Sequence, residues 1–264
     1  MNTLDIAQNI DRMSRNCSAH RPSAAIVELA AGWLRHGGTG AADENPSMAR
    51  NRISWLGLSS PPSSESIAAM LKHLRDLHCG SVFLWATDST LTGEVRSLLT
   101  ASGAKAWPWV RYLAFTRSVE IPVSPVPCPF TIRSVSADEI APVYQSCAPW
   151  YSDAGAKDAT ALVQAGVAEC FAAFDGPNPI AISLLILEGP MAYLGWAGTN
   201  PAFRNRGAQS ALIAARLQRA AEREATLCVS ETNTVVEASL KNLLKQEFAP
   251  AAEWRVFAWT DGVS

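Results

Sequence analysis

Two stretches of the chain 140 residues apart share the same punctuation. "RISWLGLSSP" ends on Pro61 and "YLGWAGTNP" ends on Pro201. Each reads as a strand holding Trp and Gly, stopped by polar residues and a proline. The helices that follow also correspond: Ser66 and Arg75 recur as Ser210 and Arg219, now 144 residues apart. Further on, "SLLTASGAKAWPWVRYLAFT" resembles "NLLKQEFAPAAEWRVFAWT", with Trp109 opposite Trp254. Both halves then run strand, helix, strand, helix, strand. That order fits an α/β or α+β chain built from two similar halves in tandem, with chance as the other reading, since αβ order is common.

The spacing changes where the second half holds "RNRG" and the first half holds only "PPSSES". In the second half a strand ends near Thr199 and an apolar helix opens near Gly207. A sharp loop there exposes backbone N–H groups, and the first helical turn adds more, with the positive end of its dipole. That is an anion site. Gly207 has no Cβ to hold a bulky anion away. Arg204 and Arg206 supply forked donors suited to phosphate, and Asn205 and Gln209 can donate as well. The segment is suited to a pyrophosphate, although an R-x-R-G stretch alone is equally often a solvated loop. A Walker loop would need a Lys that is missing here, and a dinucleotide fingerprint would need two more glycines.

Local chemistry matters because the chain as a whole has little field. Its 264 residues carry a formal net charge of -2 and a pI of about 6.1, which argues against a nucleic-acid partner. The six cysteines are scattered without a C-x-x-C pair, and no His stands at metal spacing, so no metal is expected. They read as buried thiols of a reducing compartment. No apolar run approaches the roughly 20 residues that span a bilayer. The opening residues lack the apolar run of a signal peptide. These features predict a cytoplasmic protein without a membrane partner.

"RNRGAQS" resembles the pyrophosphate loop of the GNAT superfamily of N-acyltransferases, R/Q-x-x-G-x-G/A. Arg204, Arg206, Gly207 and Ala208 match in place, and Gln209 stands where Gly or Ala is usual. In that family a bulged strand precedes the loop and a long helix follows, as "MAYLGWAGTNP" and "GAQSALIAARLQRA" do. A further strand splays away to open a cleft for the acyl-thioester arm, the place of "TLCVSET". Then comes S-x-x-N-x-x-x-x-G-F, which "SLKNLLKQEF" matches at Ser239, Asn242 and Phe248, with Glu247 for the usual Gly. The resemblance implies mixed sheets in both halves, acetyl-CoA as co-substrate and a small-molecule or peptide amine as acceptor. It implies coenzyme contacts from Ala197, Gly198 and Thr199, from the loop and helix start through Ser210, and from Asn242. The family often places an acidic Tyr where this chain has Leu243, so Ser239 and Tyr193 are the local candidates for the acid. Glu231, just past a strand end, is the candidate base; a plain turn carboxylate is the other reading. An active N-acetyltransferase and a non-catalytic acyl-CoA-binding module both fit, with hydrolysis of acetyl-CoA between them.

The resulting expectation is an N-terminal helical segment and loop (1–50), a degenerate GNAT-like half (51–119), a Pro-rich linker (120–129) and a coenzyme-binding domain (130–264). Within the first segment, "SAAIVELAAGWLRH" (23–36) reads as an amphipathic helix capped by Ser23. Trp196, Trp254 and Trp259 read as core. Asp153 and Asp158, in "APWYSDAGAKDAT", either attract an amine or cap helices.

Overall fold

The computed structural model describes residues 2–38, 50–55, 57–107, 112–124, 126–148 and 153–260. Trp109, and residues 149–152 of the stretch carrying Asp153 and Asp158, lie outside the described residues. The chain forms two compact units: Met1–Ala19, Ala24–Tyr112 and Ala252–Ser264 make the first, and His20–Ser23 and Leu113–Ala251 the second.

The first unit opens with helix α1 (Thr3–Ala19), which buries Ile6, Ala7, Ile10, Met13 and Cys17 on one stripe. Next come β1 (Ala25–Leu29) and β2 (Gly32–His36), an antiparallel hairpin with Val27 opposite Leu34. The helix expected over 23–36 is therefore two strands. Its apolar spacing suits either state, and pairing decides. Leu34 stands opposite Ile53 of strand β3 (Arg52–Ser54), and Gly32 adopts φ +101° where a Cβ would meet Ser54 O at 2.5 Å. Helix α2 (Ser64–Asp76), strand β4 (Ser81–Ala86), helix α3 (Gly93–Ala101) and the short strand β5 (Lys105–Ala106) follow in the expected order.

The second unit holds β6 (Tyr112–Ser118) from Leu113 on, β7 (Thr131–Val135), α4 (Ile140–Cys147), α5 (Asp153–Gln164), β8 (Ala168–Asp175), β9 (Asn178–Glu188) and β10 (Met191–Thr199). A 3₁₀ turn (Pro201–Phe203), α6 (Ala208–Glu222), β11 (Leu227–Asn233) and α7 (Glu237–Lys245) complete it. The sheet order is β6-β11-β10-β9-β8-β7. Strands β7 to β10 pair antiparallel in sequence, whereas β10 and β11 run parallel. Apolar residues of α6, Leu212 and Leu217 among them, pack with Phe171, Leu185 and Leu194 of the sheet. The last strand, β12 (Ala249–Thr260), has its residues from Ala252 in the first unit. There it pairs with β4 from Arg255↔Ala86 to Thr260↔Ser81 and with β5. Its Phe257 and Trp259 fill the core beside Trp55, Met70 and Leu84.

Candidate functional site

Strand β10 is regular as far as Gly195 and then bulges. Gly195 stands opposite Leu184 and Gly198 opposite Ile182, so two residues of β10, Trp196 and Ala197, face Ser183 alone. Trp196 adopts φ 52°, which costs a non-glycine residue about 1–3 kcal/mol and persists only where surroundings enforce it. Pairing between β10 and β11 ends just ahead of the bulge: Met191, Ala192 and Tyr193 pair with Leu227, Cys228 and Val229. Beyond them the buried Ser230 donates its hydroxyl to Leu194 O at 2.7 Å.

Past the bulge the chain turns through Asn200, which caps the 3₁₀ turn by accepting from Ala202 N–H. Arg204, Asn205 and Arg206 are exposed. Asn205 (φ 61°) and Gly207 (φ 88°) both take the left-handed conformation that aims the loop back into α6. No side chain caps that helix, so its mouth keeps free donors and the dipole's positive end. The Arg206 guanidinium lies over Phe130 and Phe203, 4.9 and 5.4 Å from the ring centroids. These contacts hold a cation beside the mouth. Gln209 donates its amide to Gly198 O and Thr199 Oγ1, both at 3.0 Å, and ties the helix start to the strand end. Ala208 is buried, and Ser210 donates to Asn242 Oδ1 at 3.0 Å, joining α6 to α7. Thus Ala197, Gly198, Thr199 and the loop residues cluster around one helix mouth.

The corresponding mouth in the first unit is closed. Ser63 caps α2 with its own side chain, accepting from Ser66 N–H at 3.1 Å, and Glu65 occupies the first turn. The strands before it stay paired, with Trp55 N–H donating to Trp85 O at 2.8 Å where the second unit's pair has parted.

Two of the three sequence-predicted catalytic candidates meet. Tyr193 Oη donates to Glu231 Oε2 at 2.9 Å, across the place where β10 and β11 part. Gly195 makes the contact possible, because a side chain there would collide with the Tyr193 ring. Ser239 stands on α7, half-buried, on a different element. Leu243, where the family's Tyr is expected, is buried in the core.

Other residues at the site were not legible as such. Asp158 is buried and accepts from Arg21 at 2.7 Å and from Ser23, so it is committed within the protein and caps no helix. The same Arg21 guanidinium lies 5.1 Å from the Trp196 ring centroid. Trp196 is accordingly half-buried at the bulge, whereas Trp254 and Trp259 are core as expected. Arg216, on the inner face of α6, is also buried and bonds to the bulge. Its signal was present in the sequence: it falls four residues from both Leu212 and Ala220, on the helix's buried stripe.

Comparison of the whole structure decides the fold. A GCN5-related N-acetyltransferase from Kribbella flavida matches with a TM-score of 0.69 at 14% identity, covering 96% of this chain and 95% of that one. The chain has the GNAT fold. A tandem GNAT protein from the clavulanic acid biosynthesis pathway matches over 100% of this chain and 98% of its own, with a TM-score of 0.66 at 12% identity. A GCN5-related N-acetyltransferase from Sphaerobacter thermophilus matches at 0.58 and 9% identity, over 90% and 76% of the two chains. Neither a family model nor a curated protein matches the sequence. The GNAT fold thus spans both halves, and the helix mouth without a side-chain cap, that of α6, lies in the second. Among the described residues no helix is long and apolar enough to cross a membrane, and no His, Cys, Asp and Glu cluster could hold a metal ion.

Proposed function

We propose that this protein is an N-acetyltransferase that moves the acetyl group of acetyl-CoA onto a primary amine of a small molecule or peptide. One observation carries the reading: the Tyr193–Glu231 hydrogen bond lies where β10 and β11 separate, on the strand that ends at the uncapped mouth of α6. The coenzyme's pyrophosphate is assigned to that mouth, with Arg204, Asn205, Arg206 and the first-turn N–H groups as donors. Gln209 and the Ser210–Asn242 pair hold the shape of the cradle. Its acyl arm is assigned to the gap after Tyr193, with bulge N–H groups facing the thioester oxygen. The amine nitrogen attacks the thioester carbon, and the C–S bond breaks. Glu231 accepts the proton from nitrogen, Tyr193 gives its proton to the thiolate, and Tyr193 recovers one from Glu231. The net result is one proton moved from nitrogen to sulfur.

The first unit is assigned a supporting role, since Ser63 and Glu65 occupy its helix mouth. The reaction is assigned to the cytoplasm, where free thiols persist; all six cysteines are free.

Leu243 favours a second reading, a non-catalytic acyl-CoA-binding module, because its burial leaves no acid at that position. Calorimetry with acetyl-CoA, followed by a panel of amine acceptors read by thiol release, separates the two. Binding with acceptor-dependent release supports the enzyme. Binding without release on any amine supports the module, and absence of binding removes both.

A further inference from the structure

Arg216 is a buried cation that no carboxylate among the described residues is seen to pair. Its side chain is 2% exposed, in the middle of α6. The guanidinium donates to Leu212 O at 3.1 Å, to Leu184 O at 2.9 Å and to Gly195 O at 3.5 Å. All three acceptors are backbone carbonyls, and no carboxylate is among them. Isolated charge inside a protein costs several kcal/mol or more, so a stripe of Leu and Ala would serve packing better at this place. Burial pulls the guanidinium down to about 9, which leaves it protonated at neutral pH.

Two of the carbonyls mark a single point in the fold. Leu184 and Gly195 are the last register pair of β9 and β10 before the bulge. Gly195 O belongs to the same peptide group as Trp196 N–H. That peptide is trans, so its N–H points opposite to its carbonyl. With the carbonyl turned to Arg216, the Trp196 N–H points away from the guanidinium. A hydrogen bond to the carbonyl of a peptide polarises it and strengthens its N–H as a donor. The Arg21 guanidinium, itself anchored by Asp158, lies over the Trp196 ring, 5.1 Å from its centroid. The conformation with positive φ is thereby clamped from both ends of the residue.

We infer that Arg216 is a positioning residue for acyl transfer, which electrifies the Gly195–Trp196 peptide so that the Trp196 N–H stabilises the oxygen of the thioester as it becomes an oxyanion. The inference rests on the acetyl-transfer reading above. As the amine nitrogen bonds to the thioester carbon, the C=O electron pair moves onto oxygen. When the C–S bond breaks the pair returns. Charge on oxygen is thus transient, and a fixed buried cation on the carbonyl end of the donor's peptide needs no reorganisation to meet it.

The test needs no acceptor. Acetyl-CoA labelled with ¹³C at the thioester carbonyl is bound to the full chain, and its carbonyl stretch is read by difference infrared spectroscopy, with affinity measured separately by calorimetry. In the wild type the stretch falls to lower frequency than in free acetyl-CoA. In Arg216→Met most of that fall is lost while coenzyme affinity changes less than about threefold, because the pyrophosphate loop is untouched. A variant that binds with the wild-type stretch overturns the inference, as does a wild type that binds without any fall. Circular dichroism and a cooperative melt establish that Arg216→Met is folded. If it is not, Arg216→Lys is scored the same way: a fall smaller than in the wild type supports the inference and an identical one overturns it. A wild type that does not bind acetyl-CoA fails the acetyl-transfer reading itself, and the inference with it.

Discussion

Gly195 and Tyr193 stand two residues apart on β10, and the tyrosine ring lies over the glycine, where any Cβ would collide with it. The ring can reach Glu231 only because that space is empty. Gly195→Ala should therefore displace the ring and break the hydrogen bond, with acceptor turnover falling about 10²-fold, the low end for loss of a proton-transfer group. Coenzyme affinity, set at the far end of the strand, should hold. Steady-state kinetics and calorimetry on the same preparation check both parts; full turnover would detach the pair from the chemistry.

Glu231→Gln keeps the shape of the side chain and removes its charge. Turnover should fall 10²- to 10⁴-fold, roughly the range of general-base catalysis. Tyr193→Phe should lower turnover as well. A Glu231→Gln enzyme with normal turnover across pH would reduce that carboxylate to a turn residue.

Gly207 takes φ 88° at the mouth of α6, and a Cβ there would stand 3.3 Å from Pro127 O. Gly207→Asp sets a carboxylate against the proposed pyrophosphate. It should abolish acetyl-CoA binding at a stability cost of about 1–2 kcal/mol for a non-glycine residue in this conformation. Isothermal titration on the folded variant decides this: unchanged affinity would move the coenzyme elsewhere.

Coenzyme should bind once per chain. The mouth of α2 is filled by the Ser63 cap and shadowed by Glu65, so it has no place for a second pyrophosphate. Equilibrium dialysis at saturating acetyl-CoA should give a stoichiometry near one; two equal sites would count against the closed mouth.

The second unit should lose stability at alkaline pH. Burial raises the thiols of Cys147, Cys170 and Cys228 from 9.0 to about 12. A raised folded value means stability that is complete below about 9 and lost as pH rises toward 12. Arg216 opposes this, because its folded value is depressed to about 9 and the folded chain releases that proton first. The raised thiols should lower the urea midpoint between pH 9 and 11. Replacing all three cysteines by Ala should flatten or reverse the slope.

What the sequence determined by itself was local. The helix α6 follows from apolar spacing behind a glycine, and the loop before it from arginine, asparagine and glycine in a row, because backbone preference and helix dipole act over a few residues. The order of strands and helices, and the closed mouth at "PPSSES", were legible for the same reason. The hairpin of β1 and β2 was not: its Ala- and Leu-rich run suits a helix until Ile53 of β3, 19 residues on from Leu34, stands opposite it. The side-chain pairs of the candidate site depend on still longer reach. Arg21 and Asp158 meet across 137 residues, and Tyr193 and Glu231 across 38. Register decides them. A bulge of one residue follows Gly195, whose carbonyl faces Arg216, and register is a property of packed strands that no single stretch of sequence contains.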